Sequence, residues 1–374
     1  MTPKVSVITC VRNGGRFLAA TIESILGQTF GDFEYWLVDD ASTDDSRDVI
    51  ERHLRDGRVR LLDTPERIGT YAAANLALAR ARGEYVARTD ADDLSLPHRL
   101  AAQVAFLDAH PAVGLLGSAY TFIDEAGVPA ARHETAPSRC EEIRWTLLFR
   151  NCIAHSTVMY RRALAQALGG YPAGRWGRDY DLWLRMAFTT EVAQLPDVCL
   201  RYRITRDGIT AKHPVERRAV WIELRQRQAA DLLGLSPDDP AVLEFARCCD
   251  LGGRAPRELD LAWFDWDRRF ALRLVEPFCR RFGYGDDVRA RITRLALEEP
   301  FWLVRWNEGY APGWALAVHL RFVLRHRQWK SAARLLPCAG KWALGPRGLR
   351  VAKTLRARLG RSARRPVAAA KGTA

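Results

Sequence analysis

The chain lacks any apolar run long enough to cross a bilayer: its longest, around Ala311 to Val318, is short and is followed by His319 and Arg321. The first apolar segment begins by Lys4, which leaves no room for a signal peptide and predicts a cytoplasmic protein. Eight cysteines occur with no Cys-x-x-Cys spacing, and Cys248 and Cys249 are adjacent, a pattern that favours reduced thiols in the cytoplasm. No Gly-x-Gly-x-x-Gly turn is present, since Asn13-Gly14-Gly15-Arg16 does not supply it, and no Gly-x-x-x-x-Gly-Lys-Ser/Thr loop occurs. A phosphate-bearing ligand would therefore be held by metal and side chains and not by a glycine cradle. No acidic residue follows Glu308, whereas 15 Lys or Arg do.

That last absence marks an asymmetry. Residues 1–240 carry 30 Lys or Arg against 32 Asp or Glu, whereas residues 241–374 carry 27 against 12. The net charge of +13 thus belongs to the C-terminal portion. A boundary is expected at Leu235-Ser236-Pro237-Asp238-Asp239-Pro240, which divides the chain into an α/β domain (1–235), a helical basic region (241–360) and a disordered tail (361–374).

From Lys4 to Arg88 apolar strand-like and helical segments alternate. Val5–Thr9, Phe33–Val38, Arg58–Leu62 and Glu84–Arg88 read as strands; Arg16–Gly27, Asp44–Arg55 and Thr70–Arg82 read as helices, with Thr70 as an N-cap. Short connections between such elements imply a mainly parallel sheet with helices on both faces. Polar chemistry sits at three strand ends: Thr9-Cys10-Val11-Arg12-Asn13, Val38-Asp39-Asp40-Ala41-Ser42-Thr43-Asp44, and Arg88-Thr89-Asp90-Ala91-Asp92-Asp93. Parallel strands would bring all three to one edge, where open α/β sheets bind ligands.

The acidic cluster is the most specific of these. Asp90 and Asp92, two apart, would point the same way from an extended backbone. Mg²⁺ or Mn²⁺ is held by one or two carboxylates with phosphate oxygens completing the shell, which suggests a metal-bound nucleotide diphosphate. The same residues would also suit a helix start, with Ser95 and Pro97 following. Asp44 reads as a helix cap, and between Asp39 and Asp40 the spacing does not choose a base or ribose ligand. Asp179 and Asp181 could each cap a helix beginning near Tyr180; Trp183 could stack on a sugar or sit in a core; His155 could be a hydrogen-bonded core residue or a ligand.

These segments together resemble the family-2 inverting glycosyltransferases of GT-A fold. The resemblance runs from about Pro3 to Arg203 through Val5–Thr9 with Asn13, Thr21–Thr29, Glu34, Val38–Asp44, Asn75, Gly83-Glu84-Tyr85, Asp90–Asp93, His155–Met159 and Arg178–Arg185, in order and spacing. It implies a nucleotide-sugar donor, UDP-, GDP- or dTDP-linked, and a glycan or lipid-linked acceptor. Thr9, Cys10 and Asp40 would then line the base pocket. Asp90 would face the ribose or the metal, and Asp92 would ligate the Mg²⁺ or Mn²⁺ directly. Asp179 would be the general base, with Trp183, His155 and Arg178 as acceptor-side candidates. Arg178 stands where the family carries a glutamate, Thr205 where many relatives carry a histidine, and Thr70 where some carry an arginine; His213 could replace the histidine if the Arg206-Asp207-Gly208 loop folds back.

The basic C-terminal region holds seven of the twelve tryptophans, with Val318, Leu320, Val323 and Leu324 set among His319, Arg321, Arg325 and Arg327, and Leu349 to Leu359 among Arg350, Lys353, Arg356 and Arg358. Such helices could dock peripherally on an anionic membrane, form an ordinary helical domain with a solvated basic tail, or bind an anionic glycan or nucleic acid, although no nucleic-acid partner is expected for the glycosyltransferase. Two other classes share parts of the pattern. A sugar-nucleotide-forming nucleotidyltransferase would need a richer Gly and Lys/Arg loop after the first strand. A non-catalytic binding protein would not need Asp90, Asp92 and Asp179 together.

Overall fold

The computed structural model describes residues 2–134, 137–174, 177–205, 213–248 and 261–306. It divides into two compact units, residues 1–246 and 247–374.

The first unit opens with three strand–helix pairs and a fourth strand: β1 (Val5–Val11), α1 (Gly15–Leu26), β2 (Phe33–Asp39), α2 (Ser46–His53), β3 (Val59–Asp63), α3 (Thr70–Arg80) and β4 (Tyr85–Arg88). Each boundary lies close to the one expected from the apolar spacing. Thr70 opens α3 and does not cap it: the cap is Gly69 at φ 91°, a left-handed conformation open to glycine. No side chain caps the helix; the Asp40 carboxylate instead fixes the approach to it, taking the amides of Ile68 (2.7 Å) and Gly69 (2.9 Å).

The chain continues through β5 (Leu94–Ser95), α4 (Arg99–Ala109), β6 (Val113–Ile123), β7 (Pro129–Glu134), α5 (Cys140–Leu147), a 3-10 turn (His155–Thr157), β8 (Met159–Arg161), α6 (Arg162–Ala167), α7 (Arg178–Ala187) and β9 (Glu191–Arg203). Two helices, α8 (Pro214–Leu233) and α9 (Pro240–Cys248), follow. All nine strands form one sheet in the order β3-β2-β1-β4-β8-β6-β9-β5, with β7 pairing on β6. The first four strands are parallel throughout. Beyond β4 the sheet is mixed: β8 is antiparallel to β4 and β6, while β6 and β9 run parallel. The second unit contains α10 (Leu261–Phe282) and α11 (Asp286–Trp306).

Alternation along the strands covers both faces of the sheet. Val5 and Val7 enter one apolar layer with Leu18, Ile22 and Ile25 of α1 and Leu107 of α4. Ile8 enters the other, with Ala73 and Ala77 of α3 and Leu182 and Trp183 of α7. Full burial of a side chain of this size contributes about 1.5–3 kcal/mol, so both faces are anchored along their length. This leaves the loops after β1, β2 and β4 together at one edge.

No helix among the described residues is long and apolar enough to cross a membrane. The segments at 318–327 and 349–361 considered for membrane docking, the tail at 361–374 and the 206–212 loop all lie outside the described residues. His213, at the start of α8, has its Nδ1 3.3 Å from Glu216.

Candidate active site

Parallel pairing of β1 with both β2 and β4 brings the three polar strand ends to one edge. They are stitched together directly. Asn13 accepts from the Thr43 amide (2.8 Å), Gly15 N donates to Asp44 (3.0 Å), and Thr21 donates to the carbonyls of Ala91 and Asp93. Arg12 donates to the carbonyls of Asp40 and Ala41, the latter at φ 55°. Asp44 also accepts from the Ser46 amide at the start of α2 (3.0 Å), but the cap position falls on Asp45, which makes no side-chain cap bond.

Asp39 and Asp40 are both buried. Asp39 accepts from the Ser42 amide at 3.0 Å. Asp40 folds the 64–69 loop through Thr64, Ile68 and Gly69, so its carboxylate is already engaged within the fold. Thr9 is fully buried and shares a hydrogen bond with the Tyr35 hydroxyl (3.0 Å). Cys10 sits 3.7 Å from Arg88 Nη1, and burial pushes its thiol up from the usual range.

The acidic cluster rests on two arginines with no solvent exposure, Arg88 and Arg99. Arg88 donates to the Ile8 carbonyl (2.8 Å) and to His155 Nε2 (3.2 Å), and its Nη2 lies 3.9 Å from Asp90. Arg99 donates to Thr89, Ser95 and the Arg88 carbonyl, which ties α4 beneath the cluster. Because Arg88 Nε–H donates to His155 Nε2, the imidazole proton falls on Nδ1, which lies 3.2 Å from Asp90 Oδ1. Burial alone would raise the Asp90 pKa, but His155 and Arg88 outweigh it and hold the carboxyl well below its usual range.

Asp92 is treated differently. Burial first, and then the Asp90 charge, push it up to about 6. Among the described residues no other residue donates to its carboxylate; only its carbonyl is used, by Arg203 Nε (2.8 Å). A half-buried carboxylate beside a second one, with no donor of its own, suits a cation. No group of three or more His, Cys, Asp or Glu forms a preformed cage among the described residues. Asp90 and Asp92 alone are the kind of one- or two-carboxylate donor set with which Mg²⁺ or Mn²⁺ would need phosphate and water to complete the shell. Asp93 is fully buried and accepts from the Arg203 amide (2.8 Å), a fold contact that locks the loop onto β9.

Across the site stands α7, opened by Gly177 at φ 63° with no side-chain cap. Neither aspartate of its first turn caps the helix. Asp181 is buried between Arg185 (2.7 Å) and Arg227 of α8 (2.8 Å). Asp179 accepts from the Tyr71 hydroxyl (3.0 Å) and from Asn151 Nδ2 (3.3 Å). Trp183 corrects an expectation: it has no exposure and packs among His155, Tyr160 and Tyr171, so it has no face to offer a sugar. His155 likewise serves Asp90 and Tyr171 (3.2 Å). Arg178 reaches Glu223 of α8 at 3.8 Å.

Sequence reasoning missed Tyr71, Asn151 and Arg99. Arg99 had a signal, a cation set in the apolar spacing of α4; Tyr71 and Asn151 had none, since their partner lies far along the chain.

The family model described as glycosyl transferase family 2 matches residues 6–169. EpsE of Bacillus subtilis is 40% identical over 189 residues, which span 49% of this chain and 66% of EpsE, just under two thirds of that protein. The O-antigen biosynthesis glycosyltransferase WbnJ of Escherichia coli is 32% identical over 49% of this chain and 71% of its own length. The amylovoran biosynthesis glycosyltransferase AmsE of Erwinia amylovora is 30% identical over 52% and 73%. Among solved structures, S. aureus TarS residues 1–349 in complex with UDP-GlcNAc superposes with a TM-score of 0.52 at 19% identity, covering 80% of this chain and 89% of that one, a likeness of fold. With its GT-A architecture and these relatives, the chain belongs to glycosyltransferase family 2.

Proposed function

We propose that the chain transfers a sugar from a nucleoside-diphosphate donor to a hydroxyl of a glycan or lipid-linked acceptor, with inversion at the anomeric carbon, in the assembly of a cell-surface polysaccharide. The observation that carries this reading is the proximity of two unlike carboxylate sites beyond the ends of β1 and β4. Asp90 and Asp92 converge at the end of β4, and Asp179 stands on α7, linked to them through the neighbouring rings of Tyr71 and His155 (centroids 6.2 Å apart).

In this reading the loops after β1 and β2 carry the base, with Thr9 and Cys10 contributing largely through backbone and Asp40 shaping the pocket by holding the 64–69 loop. Asp90, fixed by His155, faces the ribose side, and Asp92 would hold the Mg²⁺ or Mn²⁺. When bound, the cation supplies Lewis-acid stabilisation of charge on the leaving diphosphate. Asp179 accepts the proton of the acceptor hydroxyl as its oxygen forms the bond to the anomeric carbon. The bond from that carbon to the diphosphate oxygen breaks, and its electron pair leaves with the nucleoside diphosphate. One displacement with one base inverts the centre.

A UDP-sugar is the first donor to try, because TarS, of the same fold, is described in complex with UDP-GlcNAc. The relatives named for O-antigen and amylovoran synthesis support a polysaccharide acceptor. Arg178 stays an acceptor-side candidate through its place beside Asp179. We place the enzyme on the cytoplasmic side, peripheral to the membrane that would carry a lipid-linked acceptor. Release of nucleoside diphosphate from a donor panel tests the reading; release of pyrophosphate instead would favour a nucleotidyltransferase.

A further inference from the structure

We propose that Tyr71 and Asn151 are the positioning pair for the base, setting the plane of the Asp179 carboxylate so that one lone pair is presented to the incoming hydroxyl. The inference rests on the reading of Asp179 as that base.

The two donors arrive from separate parts of the fold and take one oxygen each. Tyr71 OH meets Oδ1 at 3.0 Å and Asn151 Nδ2 meets Oδ2 at 3.3 Å. The orientation of the Asn151 amide is not free, because its Oδ1 accepts from the Ile153 amide at 3.1 Å, which leaves the NH₂ end for Asp179. A carboxylate offers about four lone-pair directions, so two donors still leave each oxygen one. Held at both ends, the group cannot rotate about its Cβ–Cγ bond without breaking a hydrogen bond.

Tyr71 is itself well placed to hold. It is the second residue of α3, and Asp40 secures the loop that leads into that helix. Its ring lies 5.6 Å from that of Tyr171, tilted by 33°. Asn75, one turn further along α3, clamps the Tyr171 backbone on both sides, accepting from its N–H (2.9 Å) and donating to its carbonyl (2.7 Å). Burial, and then the Asp179 charge, keep the phenol protonated and therefore a donor.

The alternative is that this hydrogen bond merely fastens α7 to α3. The buried Asp181 separately holds α7 to α8 through Arg227, an anchor that Tyr71→Phe would leave intact. The full-length chain decides between the two, with Tyr71→Phe, Asn151→Ala, Asp179→Asn and the double variant Tyr71→Phe/Asp179→Asn. Turnover is read as nucleoside diphosphate release from UDP-, GDP- and dTDP-hexoses with Mn²⁺, water serving as acceptor.

Positioning predicts that Tyr71→Phe lowers kcat about 10- to 100-fold, with donor KM and Tm nearly unchanged. Asn151→Ala lowers kcat in the same direction, and the double variant is no slower than Asp179→Asn alone. Loss of turnover in Asp179→Asn with kcat retained within about twofold in both Tyr71→Phe and Asn151→Ala would overturn the inference and leave the base reading standing. An equal loss from Tyr71→Phe in the wild-type and Asp179→Asn backgrounds would also overturn it. Full turnover by Asp179→Asn, or silence of the wild type across the panel, would instead remove the base reading and this inference with it.

Discussion

His155 Nδ1 lies 3.2 Å from Asp90 Oδ1, and the opposite ring nitrogen accepts from the buried guanidinium of Arg88. The imidazole thus carries order from the sheet core to a carboxylate beyond the end of β4. His155→Ala removes the imidazole donor and leaves Asp90 with only Ser156 and the more distant Arg88 to hold it. Hydrogen bonds to charged groups contribute about 1.5–3 kcal/mol, so UDP binding, followed by calorimetry in Mn²⁺, is expected to weaken at least tenfold. Unchanged affinity would show that Asp90 needs no such support.

The two aspartates of α7 are expected to separate cleanly. Asp181 lies 3% exposed between two arginines, and Asp181→Ala leaves both without their partner. Urea denaturation should report a loss of about 2–4 kcal/mol. Asp179→Asn keeps the shape of a half-buried group and should lower stability by less than about 1 kcal/mol while abolishing turnover. Equal losses of stability in the two variants would contradict the division of labour.

Glu34, 2% exposed, gives a pH-dependent prediction. Burial raises its pKa, but hydrogen bonds from the Arg82 amide (2.8 Å), Ser6 (2.7 Å) and the Arg82 guanidinium (2.8 Å) outweigh it, and the net shift is downward. A carboxylate with a depressed folded-state pKa stabilises above its usual value of 4.5, and that contribution is lost as pH falls through the folded-state value. Glu34→Gln should therefore cost about 1–2 kcal/mol at pH 7, and the gap to wild type should close below the usual carboxylate range. A gap that stays constant from pH 7 to pH 3 would contradict this assignment.

Gly170 is the backbone position on which the Tyr171 clamp depends. It adopts φ 67°, and a Cβ there would fall 2.5 Å from Asn75 Oδ1. Gly170→Ala combines left-handed strain with displacement of Asn75, for a cost of about 2 kcal/mol. Thermal unfolding should show a lowered Tm, and kcat should fall with it as Tyr171 loosens against Tyr71. A neutral Gly170→Ala would mean that the clamp is dispensable.

The first half of the fold was legible because β1 to β4 and their helices each bury an apolar face, and the resulting spacing survives in sequence. The mixed half was not. β8 is three residues, Met159–Arg161, too short to show a period, and its place between β4 and β6 is decided by tertiary pairing. The acidic cluster was readable as a motif, whereas its support was not: Arg88 and Arg99 are charged residues that would ordinarily be assigned to the surface. Trp183 illustrates the opposite failure, an aromatic near a candidate base that proves to be core. Asp179 and Asp181 share one helical turn, and only their partners on α3, α7 and α8 tell them apart.

The central claim is that Asp92 and the neighbouring cluster serve a nucleotide-sugar donor. The direct measurement is nucleoside diphosphate release from UDP-, GDP- and dTDP-sugars with Mn²⁺ or Mg²⁺, comparing wild type with Asp92→Ala. The account predicts turnover of one donor by the wild type and a loss of at least about 100-fold in the variant, with its fold retained by circular dichroism. Equal turnover by Asp92→Ala, or no release and no calorimetric binding of any donor by the wild type, would contradict it.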